Sequence, residues 1–208
     1  VTESERLRAA LAAEPGHDVR AREWLADALA RIVERPETVG RSFAAAGRTV
    51  GRAPLADAPD WTADEAARAL LLAALPPDRV ADEAAALYRY GDANEKRAVL
   101  KALPALPVGA AAVPLLHDAI RSNDARLVTA ALGPYAGHLD QAMWRQAVLK
   151  CVFMDVSLAT VDGLAERADA ELATMLAALA EERAAAGRSI PDDAVALLTT
   201  LTGEKKDA

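Results

Sequence analysis

The chain has 208 residues, carries a net charge of −7, and is 52% hydrophobic but only 4% aromatic. That apolar fraction excludes intrinsic disorder, and the acidic balance disfavours nonspecific binding to a phosphate backbone. Much of the apolar content is alanine, the best helix former, and β-branched runs are missing, so an all-α chain is expected.

Helix signals then follow in chain order. Thr2 with Glu5 reads as a capping box opening a helix that Pro15-Gly16 ends. A second helix, from Asp18 to Arg35, carries Trp24, Leu25, Ala28, Leu29, Ile32 and Val33 at helical spacing before Pro36. A weaker helix runs from Glu37 to Thr49, and the Ala/Asp/Pro-rich stretch from Gly51 to Asp60 is read as a loop. Thr62 with Glu65 forms a second capping box for a helix reaching Leu75, and the next runs from Asp78 to Tyr90. Asp92 with Glu95 caps a helix to Leu103. Further helices are expected from Val108 to Arg121, interrupted by Pro114, and from Asp124 to Leu132. Asp140 caps a helix that reaches Met154. A short element at Ser157 to Asp162, a long helix from Ala168 to Ala186 and a last one from Pro191 to Leu201 complete the series.

About a dozen short helices with Pro/Gly joints predict a right-handed superhelix of antiparallel helical hairpins, HEAT/armadillo-like. Asn94 to Val99 echoes Asn123 to Val128, and Ala98-Val99-Leu100-Lys101 recurs as Ala147-Val148-Leu149-Lys150, as degenerate repeats would. The organisation expected is a single helical domain: residues 1–60 as a cap, 61–202 as a helical-repeat core, and 203–208 as a frayed tail.

Tests for chemistry return little. His17, His117 and His138 show no metal-binding spacing, phosphate-cradling glycine loops are missing, and Glu181-Glu182 and Asp192-Asp193 splay apart on a helix. No metal and no cofactor is expected. The lone Cys151 reads as a small buried hydrophobe. No signal-peptide pattern opens the sequence and no apolar run approaches the ~20 residues of a membrane span, so a soluble, cytoplasmic protein without nucleic-acid partners is expected. Lys150 stands out. On a helical wheel it shares its face with Met143, Gln146, Phe153 and Met154, so its helix reads as apolar nearly all round and buried. Lys101, in the same four-residue string, falls beside Arg97 on what reads as a solvated face.

The C-terminal half carries a family pattern. Asn123-Asp124-x-Arg126, Gly133-Pro134-Tyr135 and Trp144-x2-Ala147-Val148-Leu149-Lys150-Cys151-Val152-Phe153 resemble the EboA-domain proteins. So do Val161-Asp162-Gly163-Leu164-x2-Arg167-Ala168-Asp169-Ala170-Glu171-Leu172 and Glu182-Arg183-Ala184-Ala185-Ala186-Gly187-Arg188. The resemblance is good from about residue 115 to 192 and loose before it. Gly133 replaces the family's usual asparagine, and Leu179 stands where an aromatic is usual.

The resemblance implies a bacterial setting: a small operon with a prenyltransferase-like membrane protein, a metal-dependent hydrolase and sugar-phosphate-type enzymes, associated with secondary-metabolite production or export. It supplies no established activity. The matching positions Asn123, Arg126, Tyr135, Lys150, Arg167, Glu171, Glu182 and Arg183 become candidates for binding a ligand or partner, with His138 added from the loop before Asp140. The leading expectation is a non-catalytic binding or adaptor protein, holding a partner protein from the same gene cluster or an apolar small molecule. The alternative is an enzyme using Lys150 with Glu171, Glu182 or His138 as acid–base groups, and a transcriptional regulator is a distant third.

Overall fold

A computed structural model describes residues 2–14 and 19–203. The Pro15-Gly16 stop, His17 and residues 204–208 lie outside the described residues. The described chain is mostly helical, as expected, and clusters into two compact units, one up to Leu115 and one from Leu116 onward.

The first unit contains α1 (Glu3–Ala13), α2 (Val19–Glu34), α3 (Val39–Thr49), α4 (Ala63–Ala73), α5 (Pro77–Tyr90) and α6 (Ala93–Ala102). All three expected capping boxes form. In α1 the Thr2 amide donates to Glu5 at 2.7 Å, and in α6 Asp92 and Glu95 exchange bonds of 2.8 and 2.9 Å. The Thr62 amide donates to Glu65 at 3.1 Å at the start of α4. Each box satisfies amides that the first helical turn leaves without partners. α4 is the axis of this unit: every residue from Ala63 to Leu72 is buried, and α1, α2, α3, α5 and α6 pack against it. On α2, Ala28 and Ile32 are buried, whereas Val33, named with them at helical spacing, is 67% exposed.

Two readings of this region are corrected. The stretch from Gly51 to Asp60 is not simply a loop. Strand β1 (Pro54–Leu55) pairs antiparallel with β2 (Ala58–Thr62), turning through Ala56-Asp57. The hairpin buries Leu55, Ala58 and Trp61, which lie three residues apart across an irregular register and so leave no period-two pattern in the sequence. Pro114, in turn, does not interrupt a helix. It stands in the first turn of α7 (Val113–Arg121), where its missing amide costs no helical hydrogen bond.

The second unit holds the end of α7 and α8 (Ala125–Ala131), α9 (Gln141–Phe153), α10 (Leu164–Arg167), α11 (Ala170–Ala185) and α12 (Asp192–Gly203). Asp124, Asp140 and Asp169 cap α8, α9 and α11 through bonds of 2.9, 2.8 and 3.0 Å to amides within the first turn. The short element expected near Ser157 is a 3-10 turn, Leu158–Thr160, and α10 follows it as a helical turn the sequence reading did not anticipate. Both α9 and α11 end in the same device. Beyond α11, Gly187 is left-handed (φ 70°) and the Arg188 amide returns to Arg183 O at 2.8 Å. Beyond α9, Asp155 takes the left-handed position (φ 56°) and the Val156 amide returns to Cys151 O at 2.9 Å. Among the described residues, no helix is long and apolar enough to cross a membrane.

Candidate functional site: an apolar groove between α9 and α11

Polar ties at both ends set the relative direction of α9 and α11. At the N-terminal end, Asp169 receives Arg145 at 2.5 Å and Gln141 at 3.2 Å, both from the start of α9. Arg145 thereby holds the Asp169 carboxyl well below the usual carboxylate range. Arg167 donates to Gln141 at 3.2 Å, to Ala136 O at 2.8 Å and to Leu139 O at 2.9 Å, and its guanidinium stacks 4.8 Å from the Trp144 ring. At the C-terminal end, Arg183 donates to Phe153 O at 2.8 Å, Asp155 at 3.1 Å and Ser189 O at 3.1 Å. Start is thus tied to start and end to end, so the two helices run in the same sense.

One face of α9 is core: Trp144, Ala147, Val148, Cys151 and Val152 are buried. Burial pushes the Cys151 thiol up to about 12, with the charge of Asp193 adding to the effect, so it carries no thiolate at neutral pH. The opposite face does not close over. Met143, Gln146, Leu149, Lys150, Phe153 and Met154 line a groove of about 810 Å³. Met175, Ala178, Leu179 and Glu182 of α11 form its other wall, with Ile120, Arg121 and Asn123 at the end of α7 completing it. This corrects the reading of α9 as buried all round: Phe153 is 63% exposed and Lys150 half-buried on the groove wall. The long α11 likewise divides its apolar stripe, with Leu172 and Leu176 in the core and Met175 and Leu179 in the groove. All three methionines of the chain line this groove. Unbranched, polarizable thioethers of this kind adapt to apolar surfaces of varied shape.

The candidate residues separate accordingly. Asn123, Lys150 and Glu182 share the groove, while the other six do not line it. Arg126 is exposed and forks onto Asp124 at 2.7 Å, supporting the α8 cap. Tyr135 is buried, with its ring centroid 4.7 Å from that of the exposed His138. Arg167 and Arg183 are the two latches just described. Glu171 is exposed in the first turn of α11. Of the acid–base set considered with Lys150, only Glu182 joins it on the groove. No group of three or more His, Cys, Asp or Glu side chains placed to hold a metal exists among the described residues.

The sequence reading missed a second cluster, in the first unit. Asp64, Glu65 and Arg68 are at most 3% exposed although charged. Arg68 pairs with Asp64, donates to Phe43 O at 3.0 Å and stacks 5.3 Å from the Phe43 ring. Glu65 receives Arg97 at 3.0 Å and Lys101 at 2.6 Å. Lys101 also bonds Asp60 O and stands 4.5 Å over the Trp61 ring. The solvated position expected of Lys101 is therefore corrected: its side chain is 14% exposed, and burial pushes its ammonium below the usual lysine value against the pull of Glu65. Gly47 makes room for this cluster, since a Cβ there would lie 3.0 Å from Arg52 Nε and 3.5 Å from Arg68 Nη2. These groups neutralise one another around α4. The cue was charge set within the most apolar helix of the chain.

The site is thus a Met-lined groove with a few polar groups on its walls, in a mostly helical protein. The family comparison gives the narrower statement. The model of the family described as metabolite traffic protein EboA matches residues 17–199, and the chain belongs to that family. No curated protein and no solved structure matches it. The match extends well N-terminal of the stretch from about 115 to 192 that carried the resemblance.

Proposed function

We propose that this protein is a non-catalytic carrier that holds an apolar metabolite in the α9–α11 groove. In this reading it works in the bacterial cytoplasm, within a gene cluster for metabolite production or export, and passes its cargo to a protein of the same cluster. One observation carries the proposal: the chain's three methionines and the exposed Phe153 line a single groove of about 810 Å³. Drug-sized ligand sites typically occupy about 300–1,000 Å³ and are mostly apolar with a few placed polar groups. The description of the family as metabolite traffic proteins supports the same reading.

Titration with the neutral apolar dye N-phenyl-1-naphthylamine, read by fluorescence, tests it. The expected result is saturable one-to-one binding that M143E and M175E abolish while the fold stays intact by circular dichroism. Absence of saturable binding, or equal binding by both variants, overturns the carrier reading. Capture of a protein partner that M143E blocks, with no dye binding, would make the groove an adaptor surface instead.

A further inference from the structure

We infer that the groove's occupant is an elongated apolar chain ending in a single carboxylate, seated with that carboxylate on Lys150. The inference rests on the carrier reading and adds the chemical class of the cargo.

Lys150 is the odd cation of its unit. The other half-buried or buried cations are all committed: Arg145 to Asp169, Arg167 to Gln141, Ala136 O and Leu139 O, and Arg183 to Phe153 O, Asp155 and Ser189 O. Lys150 is half-buried on the groove wall, and its ammonium has no hydrogen bond or ion pair among the described residues. A charge drawn partly out of water lacks compensation until a counter-ion arrives, and the groove is the space it lines. The C-terminal end of α9 would repel an anion through its free carbonyls. Here Arg183 covers the Phe153 carbonyl.

The charge count limits the head group. Of the cations on the groove walls, Arg121 stands 3.8 Å from Asp118, so Lys150 is the one left without a counter-ion of its own in a chain of net −7. Because Arg183 is bonded to Phe153 O, the neighbouring Glu182 stands on α11 at the level of the last turns of α9, across from Lys150. One negative charge is matched by this arrangement. A doubly charged phosphate would bring its second charge beside Glu182.

The walls also set the shape of the tail. Met143 precedes Lys150 by seven residues on α9, roughly 10 Å along the helix. Met154 is eleven residues beyond Met143, roughly 16 Å away, so these sulfurs cannot join in one soft-metal site. They act as wall for an extended chain.

Displacement of N-phenyl-1-naphthylamine by four same-length amphiphiles, used below their micelle concentrations, tests the head group. Dodecanoate is expected to bind about tenfold tighter than dodecanol, a factor in keeping with one charge-assisted hydrogen bond. Dodecylammonium should bind most weakly, and dodecyl phosphate no tighter than dodecanoate. K150M should bring dodecanoate down to dodecanol and leave dodecanol unchanged, K150R should keep the preference, and E182Q should improve dodecyl phosphate selectively. Equal binding of dodecanoate and dodecanol by the unmodified protein overturns the head group and leaves the carrier reading standing. Tightest binding of dodecyl phosphate or dodecylammonium overturns the single-carboxylate assignment, and failure of all four chains and the dye overturns both readings. Should K150M not fold, an E182Q protein whose phosphate affinity is unchanged overturns the assignment.

Discussion

In the first unit charge is turned inward: Asp64, Glu65 and Arg68 sit on the most enclosed helix and neutralise one another and their neighbours. In the second unit the committed charges stand at helix ends, where Asp169, Arg167 and Arg183 tie α9 to its surroundings and leave the groove walls mostly apolar. The difference separates two uses of a buried ion. Inside a helix cluster it stores stability only while its partner is present. At a helix end it sets direction and register, and a surface for binding can then be built from ordinary apolar side chains.

The comparison predicts where a single change costs most. R68M strands the Asp64 carboxylate, 3% exposed, beside Arg52 at 3.9 Å and without its close partner. The expected loss is about 3–5 kcal/mol by urea unfolding, as for other buried pairs stripped of one member. The double variant D64L/R68M should recover most of that loss, because no uncompensated charge remains. A double variant as unstable as R68M would show that Phe43 packing, not charge, is what Arg68 supplies.

A smaller effect with a functional readout is expected at the second unit's latch. R183M removes three hydrogen bonds to Phe153 O, Asp155 and Ser189 O and should cost about 2–3 kcal/mol. It should also weaken dye binding, since the freed end of α9 carries Phe153 and Met154. R183K, which keeps the charge but not the planar fork, is expected to restore stability in part and binding less. Loss of stability with undiminished binding would reduce Arg183 to a structural tie with no say in the groove.

The turn that Arg183 grips should respond more modestly. Asp155 is left-handed (φ 56°), a conformation that costs an ordinary side chain about 1–2 kcal/mol and glycine nothing. D155G gives up the ion pair to Arg183 but relieves the backbone, so it should stay within about 1 kcal/mol of the unmodified protein. D155A gives up the ion pair and keeps the backbone strain, so it should unfold at lower urea than D155G. Equal midpoints would mean that the backbone conformation adds nothing.

These contrasts also mark what the sequence could show. Capping boxes at Thr2, Thr62 and Asp92 were legible because each joins residues three apart and answers to local physics. The hairpin at 54–62 was not, since its buried residues Leu55, Ala58 and Trp61 lie three apart and do not show a strand's period of two. Lys101 was misplaced because its partner, Glu65, lies 36 residues away on another helix. The face shared by Lys150, Met143, Phe153 and Met154 was recognised, but core and groove wall look alike until the helices opposite are in place. The family pattern at Arg167 and Arg183 pointed to residues that hold the groove's helices, whereas its walls rest more on Met143, Met154 and Met175.

The least of the expected effects concerns pH at the other end of α9. Arg145 holds the Asp169 carboxyl below its ordinary value of about 4, so the folded state keeps this proton off more firmly than the unfolded chain does. The stabilisation is complete above the unfolded value and drains away as pH falls below about 4 toward the lower folded value. D169N retains a side-chain oxygen to cap α11 but has no charge for Arg145 and no proton to lose in that range. At neutral pH it should therefore unfold at slightly lower urea than the unmodified protein, the effect being small because the carboxylate is 36% exposed and screened by solvent. Between pH 5 and pH 3 the two curves should converge. If the gap stays constant through that range, Asp169 acts as a cap alone, and the direction of α11 is then set by Arg167 and Arg183 without help from this pair.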